Sequence, residues 1–350
     1  MGRGRARSGP NIFDVARGAG VSTASVSLAL NGRPGVGENT RSRILRVADD
    51  LGWEPRAAGR TLSGARAFAV GLVIARDPSL LSADPFFPAF IAGVETELAE
   101  LGYALLLQVV DDDMGREAER YTRLARAERV DGVILSDLRF EDPRIALCER
   151  LDLPAVTLNR PRGRSPFPAV CQDDGAGVAA AVRHLAELGH VRIAYVSGRR
   201  DLLHGANRTR AWTQTMTELG LAADLSTEGD FTAASGSRAT RELLTGPDRP
   251  SAIVYGNDVM AIAGVGVATE LGLSLPDELS VVGYDDSELA AHIYPPLTSI
   301  RSDAVRWGRT ATRALLDAIE GRGGDVELPP AQLVVRASTG APLGRKERPS

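Results

Sequence analysis

Residues 21–32 read VSTASVSLALNG, a run in which hydroxyl, methyl and leucine side chains alternate. On a helix, Thr23, Ala24, Ser27 and Leu28 share one face, opposite the apolar Val26, Ala29 and Leu30. Hydroxyls can donate to or accept from base edges, whereas Ala24 and Leu28 offer only apolar contact of the kind a thymine methyl accepts. Farther along, YGNDVMAIAG (255–264) sets Asn257 and Asp258 just after an apolar run. A carboxylate there can accept two sugar hydroxyls, and the same pair can equally do no more than cap a helix. Lys346 is the only lysine, which excludes a Walker-type phosphate loop and an internal Schiff base. Cys148 and Cys171 lack metal-ligand spacing and read as two buried thiols. GAGVAAA (175–181) and GVGVATE (264–270) lack the dinucleotide-binding glycine pattern, and no nucleophile–base arrangement is visible. The expectation is therefore a binding protein, not an enzyme, with no cofactor and no metal.

The elements that must position the 21–32 run are short helices. Asn11 can cap one beginning at Ile12, with Asp14 in its first turn and Val15 and Ala19 on one face. Gly20 can take the left-handed conformation of a sharp turn, Ser22 can cap the second helix, and Asn31-Gly32 stops it. Ala16 is small where the second helix would cross the first. A third amphipathic helix is expected over 38–51, with Ile44, Leu45, Ala48 and Leu51 inward. This is the plan of a helix-turn-helix, whose second helix enters the DNA major groove; the alternative is a packed helical hairpin with no DNA role.

Charge favours the DNA reading. Residues 1–66 hold 11 arginines against 5 carboxylates, a balance of +6, while the remaining 284 residues carry 30 basic and 40 acidic groups, or −10. A basic head on an acidic body suggests that only the head meets a polyanion. At 350 residues two or three domains are expected. No apolar run reaches the ~18 residues of a membrane span, and no apolar segment follows the basic MGRGRARSGP, so the expected location is the cytoplasm, away from membranes.

From Ala67 onward apolar runs alternate with helical patterns. Strands are expected at 68–75, 103–110, 131–136 and 154–159, with helices at about 87–101 and 115–129. After PRGRSPFP (161–168) a second series opens with AVCQ (169–172) and continues at 192–197, 251–256 and 280–285, with helices at 175–188, 206–219 and 258–271 between. Alternation of this kind argues for two lobes with parallel sheets, holding a ligand in the crevice at the strand C-terminal ends.

DVARGAGVSTASVSLALNG (14–32) followed by TRSRILRVADDLGWEPRAAGRTLSG (40–64) resembles the head and hinge of the lactose-repressor/galactose-repressor (LacI/GalR) family of bacterial transcription regulators. HLAELGHVRIAYVSG, YGNDVMAIAG and GYDDSELAAHIYPPLTSIR carry the resemblance through the body. It implies an all-α helix-turn-helix head (1–52), a hinge helix and linker (53–66), and a two-lobed α/β, periplasmic-binding-protein-like effector core (67–340) before a tail (341–350). The first lobe would comprise 67–160 plus about 297–325, and the second about 166–296 plus 328–340. On that reading LTSIR (297–301) and the helix at 303–320 return to the first lobe, and QLVVRAS (332–338) joins the second.

The resemblance further implies a homodimer on double-stranded palindromic operator DNA. Its DNA-facing set would be Thr23, Ala24, Ser25, Ser27, Leu28, Asn31, Arg56, Ala58, Arg60 and Leu62, with Leu62 the hinge residue that wedges into the minor groove. ANRTRAW (206–212) matches the family's Arg-x-x-Gly segment with Ala211 in place of glycine, making Arg208 the cleft arginine. The effector set would be Phe86, Phe87, Asp173, Arg208, Asn257 and Asp258, around a small molecule for which carbohydrate is the leading class. Asp285 would order the crossover, and His184 and His190 would be helix-end groups. In the family, ligand changes lobe closure and thereby operator affinity. The function implied is a ligand-controlled repressor; the alternative is a cytoplasmic small-solute-binding protein without a DNA role, against which the intact head argues.

Overall fold

The computed structural model describes residues 10–30, 34–53, 66–78, 84–111 and 113–343. It divides into two compact units, Met1–Ala67 and Phe68–Ser350. In the first, α1 (Ile12–Ala19), α2 (Thr23–Leu30) and α3 (Glu38–Asp50) enclose a small core of Val15, Ala16, Ala19, Val26, Ala29, Ile44 and Ala48. Asn11 caps α1 by accepting from the Phe13 and Asp14 N–H groups, and Asp14 reaches back to the Asn11 N–H at 3.0 Å, a complete capping box. Gly20 sits at φ 64° and the Val21 N–H donates to the Ala16 carbonyl at 3.0 Å, which closes the helix end and turns the chain. Ser22 Oγ accepts the Ser25 N–H at 3.1 Å and so starts α2. Leu45 and Leu51, expected inward, are exposed. Leu45 lies a hundred degrees round the helix from Ile44, and Leu51 is already the C-cap, so Trp53 packs on the core in its place.

The second unit contains two six-stranded sheets. The first runs β11 (Val326–Glu327), β5 (Ala169–Cys171), β4 (Ala155–Leu158), β3 (Gly132–Leu135), β1 (Ala69–Ala75), β2 (Ala104–Val110), all parallel. The second runs β12 (Gln332–Val334), β10 (Thr298–Arg301), β9 (Ser280–Asp285), β8 (Ala252–Tyr255), β6 (Ile193–Ser197), β7 (Ser226–Glu228), with only β12 antiparallel. Helices α4 (Phe86–Glu100), α5 (Met114–Arg126), α6 (Pro143–Arg150), α7 (Asp174–Leu188), α8 (Leu203–Glu218), α9 (Ala233–Thr245), α10 (Asp258–Glu270) and α11 (Ala304–Ile319) complete the two lobes. Both cysteines are free and buried.

Two strands sit in the other sheet from the one expected. AVC does not open the second lobe: Thr157 pairs with Ala169 and Leu158 with Val170, so β5 extends the first sheet. TSIR does not return to the first lobe: Thr298 pairs with Val282 and Ile300 with Tyr284, so β10 extends the second. Apolar alternation marks a strand without naming its neighbour, which is set by backbone pairing across the sheet. The chain thus crosses between lobes at 172–173, 302–303 and 328–331. α11 does join the first lobe, where Trp307, Ala311 and Leu315 pack with Leu72 and Phe90.

The three crossings meet at Gln172. Its Nε2 donates to the Pro329 carbonyl at 2.8 Å, and its Oε1 accepts from Ser302 Oγ at 2.8 Å and Trp307 Nε1 at 3.2 Å. A separate bridge joins the lobes at the start of α8, where the Leu203 N–H donates to the Leu138 carbonyl at 2.8 Å and the Leu203 side chain is buried in a first-lobe cluster with Val73 and Tyr121. His190 is buried and structural: Nε2 lies 2.9 Å from the Gly340 carbonyl, which only accepts, so Nε2 carries the proton and Nδ1 accepts from Ser251 Oγ at 2.8 Å. Replacing Gln172 by Leu leaves the Trp307 and Ser302 donors without their acceptor, and should cost about 1–2 kcal/mol. Urea unfolding monitored by Trp fluorescence measures this; an unchanged midpoint would show that the crossings hold without Gln172.

Candidate functional site

A cleft opens between the two lobes of the second unit, lined by ends of strands and starts of helices from both sheets. This is where parallel sheets leave side chains and helix termini free to meet a ligand. From the first lobe come Arg76, just past β1, Asp84, Phe86 and Phe87 at the start of α4, and Asp137, just past β3. From the second come Asp174, His204, Arg208, Phe231, Asn257 and Asp285, while Ser302 lies in a crossing segment and Trp307 in α11, which follows it in the first lobe.

Arg76 is buried and spends three of its five N–H donors on carboxylates. Its Nε and Nη2 donate to the two oxygens of Asp137 at 2.7 and 2.8 Å, and Nη1 lies 3.4 Å from Asp84 Oδ2. Phe87 and Phe231 each place a ring centre 5.1 Å from the guanidinium carbon. Burial pushes the Asp137 carboxyl up, but the charge and hydrogen bonds of Arg76 more than reverse this and hold it at about 2. The paired fork and carboxylate make a rigid polar wall.

Arg208, on α8, lies flat on the Tyr284 ring at 3.5 Å. Nη1 donates to the Gly256 carbonyl at 3.1 Å and Nη2 is 3.7 Å from Asp174 Oδ1, which also accepts from the Tyr284 hydroxyl at 3.1 Å. Its buried Nε has no hydrogen-bond partner among the described residues. Asp285 ends β9 at φ 110°, a backbone conformation costly for a non-glycine residue and characteristic of functional sites. Burial, then the charges of Asp84 and Asp258, push its carboxyl well above the usual range. His204 stacks on Phe231 with ring centres 5.5 Å apart, and burial, with the charge of Arg208, lowers its pKa to about 3.

Four of the six residues expected at the effector site line this cleft: Phe86, Phe87, Arg208 and Asn257. Phe87 is also core, 1% exposed beneath Arg76, whereas Phe86 is half-buried and stacks on Phe90. Asn257 spends its amide within its own lobe, donating to the Phe231 carbonyl at 3.0 Å and accepting the Met260 N–H at 2.9 Å as the cap of α10. Asp258 and Asp173 are corrections. Asp258 is wholly buried behind the cleft, where its oxygens accept from Ser299 Oγ at 2.6 Å and the Ser287 N–H at 2.7 Å. Burial pushes it up to about 6, and those two donors only moderate the shift. Asp173 is exposed and caps α7 through the Ala176 N–H at 3.0 Å. Because β5 belongs to the first sheet, the chain crosses at 172–173 and delivers Asp174, the next residue, to the cleft.

Asp285 also differs from expectation. Asp286, its neighbour, orders the crossover by accepting from Arg301 Nε and Arg336 Nη2, each at 2.6 Å, and leaves Asp285 facing the cleft. Sequence reading missed Arg76, Asp84, Asp137, Asp174, His204, Phe231 and Trp307. A signal was present for two of them: Arg76 follows the buried run FAVGLVIA, and Asp137 follows DGVILS, polar residues at strand ends.

In the first unit, α2 buries Val26 and Ala29. Ala24 is exposed and Thr23, Ser25, Ser27 and Leu28 are half-buried. Ser25 Oγ is 3.0 Å from Ser22 Oγ and so belongs partly to the helix cap. Leu28 leans toward Gly35, where an added Cβ would lie 3.3 Å from its Cδ1. Asn31, Arg56, Ala58, Arg60 and Leu62 lie outside the described residues.

Residues 11–56 match the model of the bacterial regulatory proteins of the lacI family, and residues 182–339 match a periplasmic binding protein-like domain. The HTH-type transcriptional regulator CelR of Thermobifida fusca is 34% identical over 319 residues, spanning 90% of this chain and 93% of that protein. The chain belongs to the LacI family. The HTH-type transcriptional repressor CytR of Escherichia coli K12 is 32% identical, with 94% of this chain and 96% of that one covered. Among solved structures, the LacI-family fold matches a CelR–cellobiose complex at a TM-score of 0.72 and 33% identity, over 94% of this chain and 99% of that one. It matches a lac repressor dimer bound to operator and the anti-inducer ONPF at 0.82 and 28% identity, over 95% and 100%. This chain is thus a LacI-family transcription regulator with a helix-turn-helix head and a two-sheet α/β core.

The cleft histidine makes stability depend on acid. Neutral in the fold and with an ordinary value of 6.5 when unfolded, His204 takes up a proton first in the unfolded chain. Its contribution, on the order of 2–4 kcal/mol, is full above the unfolded value and is lost as pH falls from there toward 3. Thermal unfolding from pH 8 to 4 should show a shallower acid decline for His204→Gln than for the parent; parallel declines would place His204 in solvent.

Proposed function

We propose that this LacI-family regulator is a dimeric repressor whose operator affinity is set by a carbohydrate held in the cleft. The observation that carries the reading is the set of side chains that converges there. Planar Arg–Asp pairs can exchange hydrogen bonds with sugar hydroxyls, and the faces of Phe86 and Trp307 suit the apolar C–H side of a sugar ring. Both lobes contribute, so a bound molecule that bridges Asp137 and Arg208 favours the closed arrangement of lobes over the open one. The likeness to a CelR–cellobiose complex supports a sugar as the bridging molecule. Coupling is reciprocal: an effector that weakens operator binding must itself bind the DNA complex less tightly, by the same factor.

On the DNA side, two heads related by the dimer axis would read an inverted repeat. Thr23 and Ser27 would hydrogen-bond to base edges, Ala24 and Leu28 would contact thymine methyls, and the Leu62 pair would wedge the centre. The test is retention of a palindromic duplex, chosen by selection from random sequences, across a salt series and a panel of carbohydrates, nucleosides and purines. A salt-sensitive complex altered by a carbohydrate supports the reading. Response to a purine or nucleoside alone would replace the effector class, and no specific duplex would remove the DNA role.

Two substitutions sharpen this. Arg208→Gln removes a charge-assisted contact worth about 1.5–3 kcal/mol, so the effector response should need at least roughly tenfold more ligand while ligand-free operator affinity stays within about twofold. Fluorescence anisotropy titrations read both. Leu28→Arg should shift the selected half-site toward guanine at or beside one position, because a guanidinium bonds guanine where a leucine meets a thymine methyl. Identical selected sites from the two proteins would mean that Leu28 does not face the bases.

A further inference from the structure

We propose that residues 201–205 form a latch between the two lobes of the second unit, with the Leu203 side chain as its plug. Parting the lobes at this seam requires Leu203 to leave the first-lobe core, so the chain itself sets a threshold against opening. The latch goes beyond the function proposed above, because it depends on neither an effector nor DNA. The three crossings are covalent and persist in every arrangement of the lobes. The seam between 138–139 and 202–203 is not covalent, and it must break for the lobes to separate there.

The plug follows from backbone geometry. Leu202 is extended, at φ −90° and ψ 139°, and forms an antiparallel bridge with Arg139 of the first lobe. Successive side chains on extended backbone point to opposite sides. Leu202 accordingly enters the second-lobe core with Val196 and Phe231, and Leu203 enters the first-lobe core with Val73, Tyr121 and Leu138. The two leucines are 1% and 2% exposed. The Leu203 N–H also donates to the Leu138 carbonyl at 2.8 Å, so one residue commits both backbone and side chain to the opposite lobe. Withdrawing it breaks that bond and puts an apolar side chain in water. Burial of a leucine side chain alone shifts an equilibrium by roughly ten- to hundredfold.

Both halves of the seam are braced. In the first lobe, Arg144 Nη2 donates to the Asp137 carbonyl and the Arg139 N–H donates to Asp142, each at 3.0 Å. Glu117, 1% exposed, accepts from the Arg139 and Arg144 side chains and so ties this loop to α5. In the second lobe, Arg199 Nε donates to Asp201 at 3.0 Å. The turn there folds back so closely that a Cβ added at Gly205 would lie 2.0 Å from the Arg199 carbonyl. Turn and helix start thus form one packed piece. A rigid plug in a rigid socket gives a contact that is made or broken rather than gradually stretched.

Hydrogen–deuterium exchange of the full-length protein, resolved to single amides, tests this in the parent, Leu203→Ala and Leu203→Met. Alanine removes the plug while keeping a good helix former at the start of α8, and methionine keeps the apolar bulk. In Leu203→Ala the amide at position 203, corrected for its intrinsic rate, should exchange at least roughly tenfold faster than in the parent. Amides of β1 and β8, the centres of the two sheets, should stay within about twofold, because only the seam opens. Leu203→Met should match the parent. Unchanged protection at position 203 in Leu203→Ala overturns the latch, since the seam would then hold without its plug. Equal acceleration at position 203 and throughout β1 overturns it too, because Leu203 would then be an ordinary core residue whose loss loosens the whole lobe.

Discussion

Three crossings of the chain between two sheets converge on one side chain, that of Gln172, and the cleft depends on that convergence. Because β5, β10 and β11 each end at a crossing, each sheet is completed by chain that has just left or is about to enter the other lobe. Neither lobe is a continuous segment. The Gln172 amide satisfies a carbonyl from one crossing, a donor from another and a donor from α11, so the three crossings cannot slide independently without leaving polar groups unpaired.

Within that frame the electrostatics of the cleft are decided by burial. Arg76 and Arg208 sit where a lone cation would be costly, and each is accompanied by the carboxylate its environment demands. A comparable buried network lies deeper in the first lobe, where Glu117 accepts from Arg139 at 3.0 Å and Arg144 at 2.7 Å and Arg144 also pairs with Asp142. The backbone of Arg139 bridges that of Leu202, one residue before α8. The helix that carries His204 and Arg208 therefore begins against a rigid, charge-paired corner of the opposite lobe. That anchorage gives the cleft arginine a fixed origin from which to reach a ligand.

Much of this architecture is legible as local chemistry. Asn11, Asp14, Gly20 and Ser22 announce the helix-turn-helix because capping and left-handed turns are decided by a residue and its neighbours within one helical turn. The buried strands are equally plain, since runs such as FAVGLVIA and RIAYVS have nowhere to go but a covered sheet. α6 and α9 lie outside the helices expected from the sequence. The cleft was legible in part. Arg208, Phe86 and Phe87 follow from family likeness, while Asp173 and Asp258 are residues of the right type one step or one layer away from the cavity.

The sequence by itself determined the class of the protein: a basic helix-turn-helix head, a strand–helix alternation that requires parallel sheets, and the family to which both belong. Each rests on interactions within a few residues, or on a pattern repeated along the chain. Only the tertiary structure decided which sheet receives β5 and β10, that Asp174 and not Asp173 turns inward, and that Arg76 meets Asp137 and Phe231. The partners in those cases lie far apart in sequence and carry no shared periodicity. Backbone pairing and burial choose them, and both exist only once the chain has crossed between the lobes.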